Sequence, residues 1–250
     1  MNGDHASKNY LVVGASSGIG ARVCSELSGL GANIILVARR KEKLEELVRA
    51  MPPGYHTALP FDVTELHAIS SVIDQISGHY GSIDGCVYCA ALADTPRLRD
   101  LVPERLHAVM TVNFFAFLEF VRCLIGKKPK EQVLRIVGIS SLASVSNEKY
   151  LTAYAASKAA MDAAVRCLSV ELVAKNTTIN NIRPAVVDTE RLQHLHDLTG
   201  DLSMQIKKSG YQPQGIIPPE DVAKLAAYLL SDCARFITGT TMPINGGALC

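Results

Sequence analysis

Short apolar runs alternate with helix-patterned segments along almost the whole chain, and this alternation restricts the fold more than any other feature. The runs Tyr10–Val13, Asn33–Ala38, His56–Phe61, Gly85–Ala90, Val133–Ser140, Thr178–Arg183 and Thr240–Ile244 have the length of strands. Between them, Gly18–Leu30, Lys41–Met51, Glu65–Tyr80, Pro103–Ile125, Thr152–Ala174 and Pro219–Leu230 are apolar at i, i+3 and i+4, the spacing of a helix face. A strand apolar on both faces must be covered on both, which places it inside a parallel sheet. Right-handed crossovers then lay helices over each face. The expected class is α/β: a doubly wound parallel sheet of about seven strands, with its ligand crevice at the carboxyl ends of the strands. At 250 residues, one such domain accounts for the chain, 1–250. The one irregular stretch, Glu190–Pro218, contains Gly200, Gly210, Pro213 and Gly215 and reads as a lid segment, 190–218.

The first strand-to-helix turn has a specific form. Gly14-Ala15-Ser16-Ser17-Gly18-Ile19-Gly20 follows an apolar strand directly and opens a helix. Glycine permits tight turning and close backbone approach, and the helix N-terminus attracts the charge of a pyrophosphate. In that placement the turn points to a dinucleotide-binding Rossmann fold. Gly14, Ser16, Ser17, Gly18, Ile19 and Gly20 are therefore candidate cofactor-binding residues. The end of the second strand selects the cofactor. An NAD site usually has a carboxylate there for the ribose 2′-hydroxyl. This strand ends Val37-Ala38-Arg39-Arg40. A guanidinium pairs well with a 2′-phosphate, whereas arginines that merely began a helix would oppose its macrodipole. NADPH/NADP is the expected cofactor, with Arg39 as the main phosphate ligand and Arg40 beside it.

Tyr154-Ala155-Ala156-Ser157-Lys158 puts a phenol and an ammonium one helical turn apart on one face. A free phenol, with a pKa of about 10, exchanges protons poorly near neutrality. A nearby ammonium favours the phenolate. Bringing the phenol to about 7 would take roughly 4 kcal/mol of differential interaction. Such a pair is common by chance. Here it follows a strand ending in Ser140-Ser141, in a chain that also opens with the glycine turn, and the combination is specific.

With these residues assembled, the chain resembles the short-chain dehydrogenases/reductases over nearly its whole length. The glycine turn matches the family's T-G-x-x-x-G-x-G except that Val13 stands in place of threonine. Asp62-Val63 resembles the pair that holds the adenine ring. Asn113, Ser141, Tyr154 and Lys158 fall at the positions of the catalytic tetrad. Pro184, Val187 and Thr189 lie in a segment similar to the motif that meets the nicotinamide, with Ala185 for its glycine. Tyr88-Cys89-Ala90-Ala91 replaces the usual N-N-A-G, and it puts Ala90 and Ala91 beside the cofactor. Tyr88 and Val13 together remove a polar link of the family, and apolar packing is expected in its place.

The resemblance implies a carbonyl reductase or alcohol dehydrogenase that moves a hydride between the nicotinamide and a ketone, such as a 3-oxoacyl thioester or a small ketone. Tyr154 would be the general acid and Lys158 would lower its pKa and hold the nicotinamide ribose. Ser141 would hydrogen-bond the carbonyl oxygen, and Asn113 would hold a water. A non-catalytic NADP-binding sensor or scaffold is the alternative, and it has little reason to keep all four residues. The family also implies a homotetramer, or a homodimer, built on Pro103–Ile125 and Thr152–Ala174. Their apolar residues, including Phe114, Phe115, Phe117, Leu118 and Phe120, exceed what one sheet face needs.

The remaining features exclude more than they add. A formal net charge of +1 argues against a nucleic-acid surface. No membrane span is expected, and the polar start of the chain lacks the apolar core of a signal peptide. Seven scattered cysteines, among them Cys86, Cys123 and Cys167 in apolar runs, suggest reduced core thiols and a cytoplasmic setting. Cys86 and Cys89 have redox-motif spacing but sit in a strand, so two buried strand cysteines are expected. With no second pair or histidine cluster, no metal site is expected. His107, His194 and His196 read as surface or core groups, and Asp94 and Arg97 flank the crevice.

Overall fold

The computed structural model describes residues 4–190, 192 and 211–248. Seven strands form one sheet: β1 (Asn9–Val13), β2 (Asn33–Ala38), β3 (Thr57–Pro60), β4 (Gly85–Tyr88), β5 (Leu134–Ile139), β6 (Thr177–Pro184) and β7 (Thr241–Ile244). Their order is β3-β2-β1-β4-β5-β6-β7, with every pairing parallel. The helices are α1 (Gly18–Gly29), α2 (Lys41–Ala50), α3 (Ile69–Tyr80), α4 (Pro103–Met110), α5 (Ala116–Lys127), α6 (Thr152–Leu172) and α7 (Pro219–Leu230). This is the doubly wound Rossmann sheet that the sequence pattern predicts.

Alternation along β1 shows how the two layers arise. Tyr10 and Val12 pack on one side with Val23 and Leu27 of α1 and Val222 and Ala226 of α7. Leu11 and Val13 pack on the other with Ile73 of α3, Phe117 and Phe120 of α5 and Met161 of α6. All four strand residues have no exposed surface, as a strand between two helical layers requires. From β1 the chain leaves toward β2 on one side and returns at β4 on the other. That reversal opens a crevice above the carboxyl ends of β1 and β4.

Three sequence expectations change in detail. The helix expected over Pro103–Ile125 is interrupted by a π-helical turn, Thr111–Phe115, and resumes to Lys127. Taken whole, Pro103–Lys127 is long and apolar enough to cross a membrane by length and composition, yet half of its most apolar window is buried inside this fold. The strand expected to run to Ala90 stops at Tyr88, which leaves Cys89 on the turn above the sheet. Cys24, Cys86 and Cys123 are buried, but Cys167 is exposed on the outer side of α6.

Candidate active site

The glycine turn is held by backbone contact that no side chain could share. Gly14 has φ +86°, and a Cβ on it would land on the backbone of Cys89 and Ala90 at the end of β4. A Cβ on Gly20 would strike the carbonyl of Gly14, and one on Gly18 would meet Thr189 Cγ2 at 3.3 Å. The turn thus touches both the β4 end and the segment after β6. Ser17 is the N-cap of α1, but its side chain makes no capping bond and no acid occupies the first turn. The N–H groups of this helix start keep their capacity for an anion. That is the cradle a dinucleotide pyrophosphate needs.

Arg40 completes the turn. Its Nη2 donates to Ser17 Oγ at 2.8 Å and to Ser16 Oγ at 3.0 Å. Arg39 is exposed, and its charge helps to hold the Asp62 carboxyl below its ordinary value. The larger cause there is the Thr64 backbone N–H, which donates to Asp62 Oδ1 at 3.0 Å. Val63 is buried, Ala90 is half-buried and Ala91 is exposed. Pro184 ends β6, and Val187 forms a parallel bridge with Ile217. Gln212, fully buried, donates to the carbonyls of Val186 and Gly215 and accepts from Val186 N. The base of the expected lid is therefore tied down, while most of 190–218, with His194 and His196, lies outside the described residues.

A second group of residues gathers over β5. Lys158 is buried on α6, and its Nζ donates to the Ile139 carbonyl at 2.6 Å and lies 5.8 Å from the Tyr154 ring centre. Burial pulls the ammonium pKa down to about 8, against the charge of Asp162. Ser141 follows β5 as the cap of a short 3-10 turn, its Oγ accepting from Ala143 N at 3.2 Å. Asn113 is in the π turn with no exposed surface. Its Oδ1 accepts from Leu92 N at 2.7 Å, and its Nδ2 donates to Leu92 O and to Ser157 Oγ. Ser157 Oγ in turn donates to the Tyr154 carbonyl at 2.7 Å. The four residues singled out from sequence thus converge on one end of the sheet.

Several participants were not legible beforehand. Ser157 links Asn113 to the Tyr154 helix. Asp162, one turn beyond Lys158, accepts from Ser144 Oγ, Asn181 Nδ2 and Arg183 Nη2. Burial works against that carboxylate, but these donors and Ser140 hold its pKa below the usual value. The i, i+4 spacing from Lys158 was the available signal. Asp94 is bound to the Arg105 guanidinium by two hydrogen bonds, so it ties the loop after β4 to α4. His107 stacks at an angle against Phe115. The polar link missing at Val13 and Tyr88 is not replaced by packing alone. Tyr88 Oη donates to the Val112 carbonyl at 2.6 Å.

Residues 14–248 match the sequence profile of a family described as enoyl-(acyl carrier protein) reductase. The chain belongs to the short-chain dehydrogenase/reductase family. Among curated relatives, an L-xylulose reductase of Caenorhabditis elegans is 30% identical over 98% of this chain and 97% of its own. The 3-oxoacyl-(acyl-carrier-protein) reductase FabG of Haemophilus influenzae is 30% identical over 96% of this chain and 97% of its own. A short-chain dehydrogenase/reductase structure from Mycobacterium ulcerans superposes with a TM-score of 0.89 at 27% identity, covering 97% of this chain and 90% of that one. ElxO with NADP bound gives 0.89 at 25% identity, covering 96% and 98%.

Proposed function

We propose that the protein is an NADPH-dependent carbonyl reductase of the short-chain family, working on a ketone that Tyr154 protonates. The observation that carries this reading is the buried Lys158 ammonium beside the Tyr154 ring, at the carboxyl end of the sheet that also bears the glycine turn. The Gly14–Gly20 turn, shaped by Arg40, would hold the pyrophosphate, Arg39 the 2′-phosphate, Asp62 and Val63 the adenine, and Ala90, Ala91, Pro184, Val187 and Thr189 the rest of the cofactor. NADPH, when bound, supplies the hydride that reaches the carbonyl carbon.

The chain's own residues handle the charge and the proton. Negative charge grows on the carbonyl oxygen as the carbon is reduced. Ser141 donates a hydrogen bond where that charge develops. Tyr154 gives its phenolic proton to the same oxygen. Lys158 favours the phenolate left behind and binds the nicotinamide ribose. Asn113 has both N–H donors and its Oδ1 engaged by Leu92 and Ser157. It therefore acts through its side chain as a brace, and the water expected of it would rest on main-chain groups.

The relatives supply two substrate classes, a keto sugar and a 3-oxoacyl thioester, and both carry the ketone this site would reduce. The half-buried Phe114, Phe115 and Leu118, with the exposed Val170 on α6, support a homotetramer or homodimer built on α4, α5 and α6, and the free thiols of Cys24, Cys86 and Cys123 suit a reducing cytoplasm. The test is NADPH absorbance with a panel of ketones, keto sugars and acetoacetyl thioesters. Tyr154→Phe should lower turnover by about 10²–10⁴-fold with folding intact. No NADPH-dependent turnover of any carbonyl, or native turnover by that variant, would overturn the reading.

A further inference from the structure

Tyr88 ends β4 with its side chain fully buried. Its ring packs edge-on against Phe117, with centres 5.6 Å apart, and tilted against Phe120 at 6.0 Å. These contacts fix the ring, and the hydroxyl then reaches the Val112 carbonyl at 2.6 Å. Burial pushes the phenol pKa well above its ordinary value, so the group stays a donor. Val112 lies inside the π turn, where the N–H of Ala116 bonds the Thr111 carbonyl five residues back. A π turn shifts the helical ladder by one residue, and such turns are frequent at functional sites. A donor from outside the helix, aimed at a carbonyl within the turn, stabilises the shifted register.

The acceptor is the carbonyl of the peptide bond whose nitrogen belongs to Asn113. From there the contacts run on without a gap. Asn113 clamps Leu92 and donates to Ser157, and Ser157 donates to the carbonyl of Tyr154. The strand end below the crevice is thereby joined to the helix that carries Tyr154 and Lys158. We propose that Tyr88 is a positioning residue: its hydroxyl holds the Val112–Asn113 peptide so that the Asn113 amide can brace the catalytic helix. The proposal rests on the reductase reading given above. A buried tyrosine needs some partner for its hydroxyl in any protein, so the test must separate positioning from core packing.

Three variants do so: Tyr88→Phe, Asn113→Ala and the double variant, with Ile73→Val, buried on α3 outside this network, as a packing control. Tyr88→Phe should lower kcat about tenfold and leave NADPH affinity within about twofold. In the Asn113→Ala background it should add less than about twofold, because contacts in one network are not additive. Ile73→Val should lose stability and keep its kcat. Independent effects in the double variant, or an equal kcat loss in Ile73→Val, would overturn the proposal. A readout free of turnover is the amide spectrum of protein labelled with nitrogen-15 at asparagine. Tyr88→Phe should shift both the backbone and side-chain signals of Asn113, and unchanged Asn113 signals would also overturn it. If those signals move while Tyr154→Phe keeps native turnover, the brace stands and the reductase reading falls.

Discussion

Lys158 Nζ donates to the Ile139 carbonyl at 2.6 Å, which locks the start of α6 onto the last residue of β5. The lysine is only 2% exposed, and its ammonium is held by one carbonyl and the neighbouring Asp162 charge. A cation buried this far loses its hydration, and desolvation disfavours the charged form. The site therefore holds an ammonium that gives up its proton more readily than a surface lysine.

That proton has two measurable consequences. NADPH affinity of the free protein should be level below about pH 8 and fall above it, by up to about tenfold per pH unit, as the charge is lost. Lys158→Met should bind NADPH more weakly and without that break. Stability moves the other way. The folded pKa is below the unfolded one, so the unfolded chain holds more protons between pH 8 and 10.5. Lysine at this position should thus add stability as pH rises through that window, and Lys158→Met should lack the gain. Fluorescence titration and thermal unfolding at pH 7.5 and 9.5 check both.

The two arginines after β2 should separate by cofactor. Arg40 is bonded to Ser16 and Ser17, so it shapes the turn that either dinucleotide needs. Arg39 is exposed at the strand end and free to serve the phosphate that NADPH alone carries. Arg39→Ala should weaken NADPH about tenfold to hundredfold and NADH little, the scale of a charge-assisted hydrogen bond. Arg40→Ala should weaken both. Equal loss of the two cofactors in Arg39→Ala would count against the division.

Local pattern and long-range contact explain what sequence could and could not show. The inner strands were legible because Tyr10 to Val13 and Ile34 to Ala38 are apolar on both faces, as a strand covered on both sides of a parallel sheet requires. Tyr154 and Lys158 were legible because one helical turn fixes their relation. The π turn was not. Thr111–Phe115 looks like ordinary helix in sequence, and its altered register is matched by contacts from Tyr88 and Leu92, both some twenty residues away in the chain. The Asp162 cluster also escaped notice, because its donors come from the turn after β5 (Ser144) and from β6 (Asn181 and Arg183), both on other elements and distant in the chain from Asp162.

At the opposite end of the sheet, His5 is fully buried with Nδ1 2.8 Å from Tyr10 Oη. Burial, helped by the Lys8 charge, holds its pKa below the ordinary 6.5. The unfolded chain therefore takes a proton first as pH falls. Stability from this residue should be complete above about pH 6.5 and decline below it. His5→Gln should flatten the fall in melting temperature between pH 7 and 5. An unchanged slope would mean that His5 takes no part in it.

Two glycine substitutions should have opposite signs. Gly14→Ala puts a methyl group onto the backbone of Cys89 and Ala90, at a φ of +86° that side chains rarely adopt. The turn and the β4 end would have to part, and both are backbone, with no flexible side chain to yield. Loss of several degrees in melting temperature and of most NADPH affinity is expected. Gly78 lies inside α3, with nothing within 4 Å of a Cβ built on it and no unusual φ. Alanine there lowers the entropy of the unfolded chain and suits a helix, so Gly78→Ala should stabilise by about 0.5–1 kcal/mol and leave NADPH binding alone. Thermal unfolding and NADPH titration of the two variants side by side make the comparison. If Gly14→Ala binds NADPH as well as the native chain, the close approach of the glycine turn to the β4 end is not what shapes the cofactor cradle.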